Sequence, residues 1–265
     1  MNLFGRVVEL KVGDTEITGL DIAFEIEKDL TPEPNPCHVE IFNLGAKNRN
    51  ILSQYKQVPV QLKAGYKGNV GVIFYGDMIR CSHLKEGPTW KTTLANGDGA
   101  KSIQSERINK SFSKGTPVKT VIKEIAEQLK IPSASALKQF EDLSQKLSRG
   151  FMVSGNPMDE LGSILRDYGY SASVQNNSLQ ILKDGQALLN QALNLTPRSG
   201  LKGSPEIGSN KKLKVTAVLM PELLPGQKVH IDCSTFIGFA LIQHVRFCGS
   251  TFEAAWESEI ECIIC

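Results

Sequence analysis

The residues best placed to do chemistry in this chain are acids near its end. Glu257, Glu259 and Glu261 alternate with Trp256, Ser258, Ile260 and Cys262. In an extended strand that spacing puts three carboxylates on one face and a largely apolar set on the other. A pair of acids at the right separation hydrolyses a glycosidic bond, so Glu257, Glu259 and the distant Asp159 are the candidates for a hydrolase. The simpler reading is a solvated strand face, because like charges on neighbouring same-side positions repel and runs of charge usually meet water. Asp159 and Glu160 also have a structural explanation: they open a helix, whose dipole favours negative charge there.

Metal and redox chemistry have weaker footing. The four histidines, His38, His83, His230 and His244, are scattered among strand segments with no short ligand spacing. His230 and His244 would meet if their strands paired, and with Cys233 or Cys248 they would imitate a metal site. The missing spacings favour ordinary hydrogen-bonded or exposed histidines instead. Cys262 and Cys265 have the C-x-x-C spacing but no second pair and no nearby His. The six cysteines, Cys37, Cys81, Cys233, Cys248, Cys262 and Cys265, read as reduced and mostly buried. No P-loop, dinucleotide fingerprint, His-Glu-x-x-His pair or Gly-x-Ser-x-Gly elbow is present. The expectation is a non-enzyme with no catalytic residue, no metal site and no cofactor.

Composition narrows the partners. Thirty basic residues against 28 acidic ones leave a formal charge of +2, too little for a global field toward nucleic acid or an anionic membrane. The short basic run at Asn210–Lys214 reads as solvated. Apolar residues at 41% and charged residues at 22% describe a globular chain. The start, Met1-Asn2-Leu3-Phe4-Gly5-Arg6, lacks the features of a secretory signal, and no run is long enough to span a bilayer. Location in a cytoplasm, without membrane binding, is expected.

The elements that would position these residues are mostly strands. Val8–Val12 and Ile22–Glu27 alternate around Gly13-Asp14 and read as a hairpin. His38–Ile41, Val60–Tyr66, Val72–Ile79 and Trp90–Leu94 continue the β pattern, with a short helix at Ala46–Tyr55. Many short strands at close spacing suggest a barrel or sandwich. Near Gly115 the period changes to helical. Thr116 is the expected cap and Pro117 the first residue of a helix whose stripe is Val118, Val121, Ile122, Ile125, Ala126 and Leu129. A second helix has Asn156 as cap and Pro157 at its start, and Gly169 follows its end. Next comes a hairpin turning at Asn176-Asn177. The β pattern returns in Val215–Leu219, Lys228–Asp232, Phe239–Phe247 and Phe252–Ile264, with turns at Pro225-Gly226 and Gly249-Ser250. The class is therefore α+β, mainly β, with a helix-containing α+β module at 113–189, a linker at 190–212 and further strands at 213–265.

Taken in order, several segments resemble phage tail baseplate hub proteins, the group of late-control-D-like hubs and type VI secretion spike bases. They are Glu40-Ile41-Phe42-Asn43-Leu44, the short helix, Val60–Tyr66, and Ile73-Phe74-Tyr75-Gly76-Asp77-Met78-Ile79, which is similar to the family's Phe-x-Gly-x-Ile strand. The two helices and hairpin follow in the family's order. Gly200–Pro205 with Leu219–Val229 is similar to the linker and strand that open a second barrel, and Trp256–Glu261 to its closing strand. At Gly249-Ser250-Thr251 the family's Gly-Asp turn is missing.

The resemblance implies two tube-like antiparallel β-barrel units, 1–112 and one completed by 213–265. It implies a homotrimeric ring between the tail tube protein and a central spike protein, among other baseplate proteins. Such a ring would sit in the virion after assembly in the host cytoplasm, and DNA would pass through without specific binding. Glu257, Glu259 and Glu261 would then be lumen-facing, repelling phosphate. The rival functions are a tail-associated cell-wall-degrading enzyme and a single-stranded nucleic-acid-binding barrel.

Overall fold

The computed structural model describes residues 5–140, 143–188, 191–208 and 211–265. The chain forms two compact units. The first takes the chain through Asp29, then Asn35–Asp98 and Ala187–Cys265; the second takes Leu30–Pro34 and Gly99–Gln186.

The first unit is a single 13-stranded sheet. Its N-terminal half holds β1 (Arg6–Val12), β2 (Thr15–Ile17), β3 (Ile22–Lys28), β4 (Pro36–Phe42), α1 (Ala46–Gln54), β5 (Pro59–Tyr66), β6 (Asn69–Glu86) and β7 (Thr89–Gly97). The second unit holds α2 (Ala100–Ser105), β8 (Ile108–Phe112), α3 (Val118–Gln128), a 3-10 turn at Ala136–Phe140, β9 (Phe151–Gly155), α4 (Pro157–Arg166), β10 (Tyr170–Val174) and β11 (Leu179–Lys183). The chain then returns to the sheet with β12 (Leu193–Leu195), β13 (Leu201–Ile207), β14 (Lys212–Val218), β15 (Lys228–Asp232), β16 (Ile237–Ser250) and β17 (Trp256–Ile264).

The main path of the sheet runs β13-β14-β17-β16-β3-β4-β7-β6-β5-β1-β2, with β15 also on β16 and β12 on β15. Every pairing is antiparallel except β12 with β15. The fold is thus mainly β and α+β, as expected. The two barrels are not separate closed circuits of hydrogen bonds among the described residues. Instead β16 pairs with β15 through Ile237–Leu241 and with β3 through Val245–Ser250, so both halves share one strand. A bulge between Ile242 and His244 bends β16 at the changeover. A similar bulge between Met78 and Arg80 lets β6 leave β5 for β7.

The inward face carries one core that includes Leu10, Val12, Ile26, Val39, Leu62, Phe74, Leu94, Val215, Phe247 and Ile260. Trp256 lies edge-on to Phe24 at 5.7 Å and to Tyr66 at 6.4 Å, so one ring ties β17 to β3 and β5. The Arg6 guanidinium stacks over that indole at 5.3 Å and donates to the carbonyls of Ser250 and Ala254. At Gly249 an added methyl carbon would overlap the Phe24 ring, so glycine is what allows that ring to lie across β16.

Three expectations change. The strand after Gly13-Asp14 is the three-residue β2, which forms the hairpin with β1, while β3 pairs with β4 and β16. Residues 99–112 belong to the second unit, because β8 pairs with β9 from Ile108–Gly155 to Phe112–Phe151. The 190–212 connection contains β12 and β13, both part of the sheet; its residues 190, 209 and 210 lie outside the described residues.

In the second unit Val118, Val121, Ile122, Ile125, Ala126 and Leu129 are all buried, packed with Met158, Leu161, Ile164 and Leu165 of α4. Asn156 caps α4 by accepting from the Met158 N–H at 2.9 Å, and Asp159 and Glu160 occupy its first turn. Thr116 does not cap α3. Its hydroxyl donates to the Ser113 carbonyl at 2.8 Å, and Pro117 takes the cap position without a side-chain bond. Asn176 and Asn177 have φ of 52° and 57°, the left-handed pair that a tight hairpin turn needs. Among the described residues no helix is long and apolar enough to cross a membrane.

Candidate functional site: an ion-paired sheet face

Along β17, Trp256, Ser258, Ile260 and Cys262 are buried while Glu257, Glu259 and Glu261 are half-exposed on the opposite face. Sequence alternation foresaw this division. It did not foresee the neighbours. Glu261 lies opposite Lys214 of β14 in the register and binds its ammonium at 3.0 Å. Glu259 lies opposite Arg246 of β16 and binds it at 3.2 Å, and the same guanidinium holds Glu25 of β3 at 2.7 Å. Glu257 binds Lys202 of β13.

The pattern continues along the sheet. Lys91 of β7 holds Glu40 of β4 at 2.6 Å, and Lys63 of β5 holds Glu9 of β1 at 3.3 Å. These six ion pairs lie on the face opposite the core. Cations from other strands thus separate the acids that would otherwise repel. The hydrogen bond from Lys214 holds the Glu261 carboxyl below the usual carboxylate range. The hydrogen bond that Arg246 donates to Glu25 raises its pKa further above its already high value. A shallow hollow on this face is lined in part by Lys214, Thr216, His244, Arg246, Glu259 and Glu261.

The other candidates are not brought together. His244 joins the ion-paired face opposite Glu261, His38 lies opposite Glu25, and His230 packs on the Phe239 ring at 4.7 Å. No group of three His, Cys, Asp or Glu among the described residues is placed to hold a metal. Cys262 is buried and Cys265 exposed, both as free thiols. Asp159 belongs to the helix-containing unit and Glu257 and Glu259 to the sheet unit.

One constellation had no sequence signal, because its members are far apart in the chain. His83 Nε2 lies 3.0 Å from Ser53 Oγ, and His83 Nδ1 lies 2.9 Å from Thr92 Oγ1. This outline matches nucleophile, base and orienter. The chemistry runs the other way. The Ser53 hydroxyl is also within hydrogen-bond reach of the Arg49 carbonyl at 2.9 Å, which competes with the ring for its proton. Burial also pulls the His83 pKa down, and the orienting group is a neutral hydroxyl rather than a carboxylate that would stabilise an imidazolium. The cluster fastens the end of α1 to β6 and β7.

Comparison with known proteins bears on the fold and the family. Among curated proteins nothing matches. Several solved structures share the fold. The 43 kDa tail protein of prophage MuSo2 from Shewanella oneidensis superposes with a TM-score of 0.70 at 10% identity, covering 98% of this chain and 97% of that one. A tail protein from Neisseria meningitidis gives 0.69 at 13%, again covering 98% and 97%. A component of the Escherichia coli type VI secretion system, described as similar to T4 bacteriophage tail proteins gp27 and gp5, gives 0.61 at 14%, covering 97% and 76%. The sequence model of baseplate hub gp41 matches residues 7–235, most of the chain. The protein therefore belongs to the baseplate hub gp41 family and is a structural component of a phage tail baseplate.

Proposed function

We propose that this chain is the ring-forming hub of its baseplate, a homotrimer that joins the tail tube to the central spike, lets DNA pass and has no enzymatic activity. The observation that carries this reading is the sheet: one chain builds two strand sets fused through β3 and β16, with a single polar face running across both. Three copies would present six such sets, the number suited to a hexameric tube above a trimeric spike. In this reading the ion-paired face, with Glu257, Glu259 and Glu261, lines the channel. Assembly takes place in the host cytoplasm and the product is a virion part.

Native mass measurement and electron microscopy of the purified protein, alone and with its tube and spike proteins, test the ring. A trimeric ring is expected, and a lone monomer even beside both partners would overturn it. No peptidoglycan release is expected from the isolated protein; release would restore the hydrolase reading. Lysine at the three acids is a poor probe of the channel, since each would face a cation already in place. Glutamine keeps the shape and removes only the charge.

A further inference from the structure

Lys202, Lys214 and Arg246 are the kind of side chain that grips nucleic-acid phosphate, yet each is already held by a carboxylate. On this stretch of the sheet three cations meet four carboxylates, Glu25, Glu257, Glu259 and Glu261. Affinity for a polyanion comes from cations that neutralise phosphates and so release the counterions condensed on the nucleic acid. A cation that is part of a neutral pair neutralises no phosphate unless the pair breaks. Stability does not explain the arrangement, because exposed pairs of this kind contribute little. Nor does a bare acidic stripe describe it, because every acid on β17 is paired with a cation from another strand.

We propose that Glu257, Glu259 and Glu261 are masks. They occupy Lys202, Lys214 and Arg246 so that a polyanion slides past without adhering, and removing them turns the face into a non-specific nucleic-acid-binding surface. The use of that property rests on the channel reading above; the property itself belongs to the isolated chain. The acids of β17 thereby act through the basic residues they cover rather than by repulsion alone.

The test is a triple variant, Glu257→Gln, Glu259→Gln and Glu261→Gln, which frees Lys202 and Lys214 and leaves Arg246 on Glu25 alone. It raises the formal charge from +2 to +5, one unit per acid removed. A charge-matched control, Glu33→Gln, Asp167→Asn and Asp184→Asn in the helix-containing unit, also reaches +5 but leaves the masks in place. Binding to a fluorescent 30-base-pair duplex is read by anisotropy across about 50–200 mM salt, with thermal melts confirming that all chains are folded.

The triple variant should bind about tenfold or more tightly than wild type at low salt, with a log–log salt slope steeper by about 2, one phosphate for each freed lysine. The control should stay near wild type. Equal binding by variant and control would reduce the effect to net charge and overturn the proposal. So would no gain in the variant, or wild-type binding as tight as the variant's. The channel reading is judged separately, by genome ejection from particles carrying the triple variant. Normal ejection by particles whose purified hub does bind DNA would remove the channel reading and leave the masking intact.

Discussion

The helix-containing unit draws its core from one stretch of chain, from Ile103 to Ile181, whereas the sheet unit gathers its core from Leu10 to Cys262. Their charges differ in the same way. In the helical unit the ion pairs Lys110–Glu124, Lys123–Glu127 and Lys130–Glu106 span 14, 4 and 24 residues, the second of them a single helical turn. In the sheet unit the pairs join different strands and share one face. Local order builds the helix-containing unit. The sheet unit exists only when distant strands have found their register, and its charged face is a product of that register.

The largest effects should come from the two cores. Phe247, fully buried on the strand that serves both halves, should cost about 3–5 kcal/mol as Phe247→Ala. Amide hydrogen exchange should show the loss on both sides of β16. Ile122→Ala in α3 should cost about 2–5 kcal/mol, with lost protection confined to the helical unit. Equal loss of protection in both units from either variant would dissolve the distinction.

A pH effect sharpens the comparison next, because the sheet core contains a wholly buried lysine. Burial pulls Lys28 down to about 8, partly opposed by the nearby Asp98 charge. The folded value lies below the unfolded one of about 10.5, so between those pH values the unfolded chain binds the extra proton. The penalty of burying the charge is therefore fully present below pH 8 and is relieved as pH rises toward 10.5. Across that window wild type should gain stability relative to Lys28→Met, by up to about 1.4 kcal/mol per pH unit. Denaturant midpoints measured at several pH values decide it, and parallel curves would remove Lys28 as the source.

Smaller again is the cap. Asn156→Ala should cost about 1 kcal/mol, localised to α4 and its neighbours. Smallest is the charged face: Lys202→Gln should change stability by no more than about 1 kcal/mol, since Lys202 is exposed and Glu257 half-exposed. A loss several times larger would make the face a stabilising device rather than a surface property.

What could be read from sequence follows the same division. The stripes of α3 and α4, the Asn156 cap and the Asn176-Asn177 turn are local patterns, and each is found where its spacing put it. Thr116 failed as a cap because an equally local partner, the Ser113 carbonyl, took its hydroxyl. In the sheet, alternation sorted the faces of β17 correctly but could not name partners. Lys202 lies 55 residues from the acid it binds, and Glu25 lies 221 from Arg246. The false hairpin between β1 and β3 has a similar cause, since three residues of β2 are too short to show a period. The Ser53–His83–Thr92 cluster was invisible because nothing in the sequence brings α1 to β6 and β7.

The shared strand β16 also has a mechanical meaning. Its pairing with β3 from Val245–Lys28 to Ser250–Ala23 is an antiparallel ladder, and its pairing with β17 runs along most of its length. A force directed along the strands loads the rungs of each ladder side by side, so they share the load and must give way together. A force that peels the strands apart meets the rungs one at a time. The joint between the halves is thus stiff to axial load and weak to peeling, a direction-dependent strength set by backbone geometry and independent of which side chains line the faces.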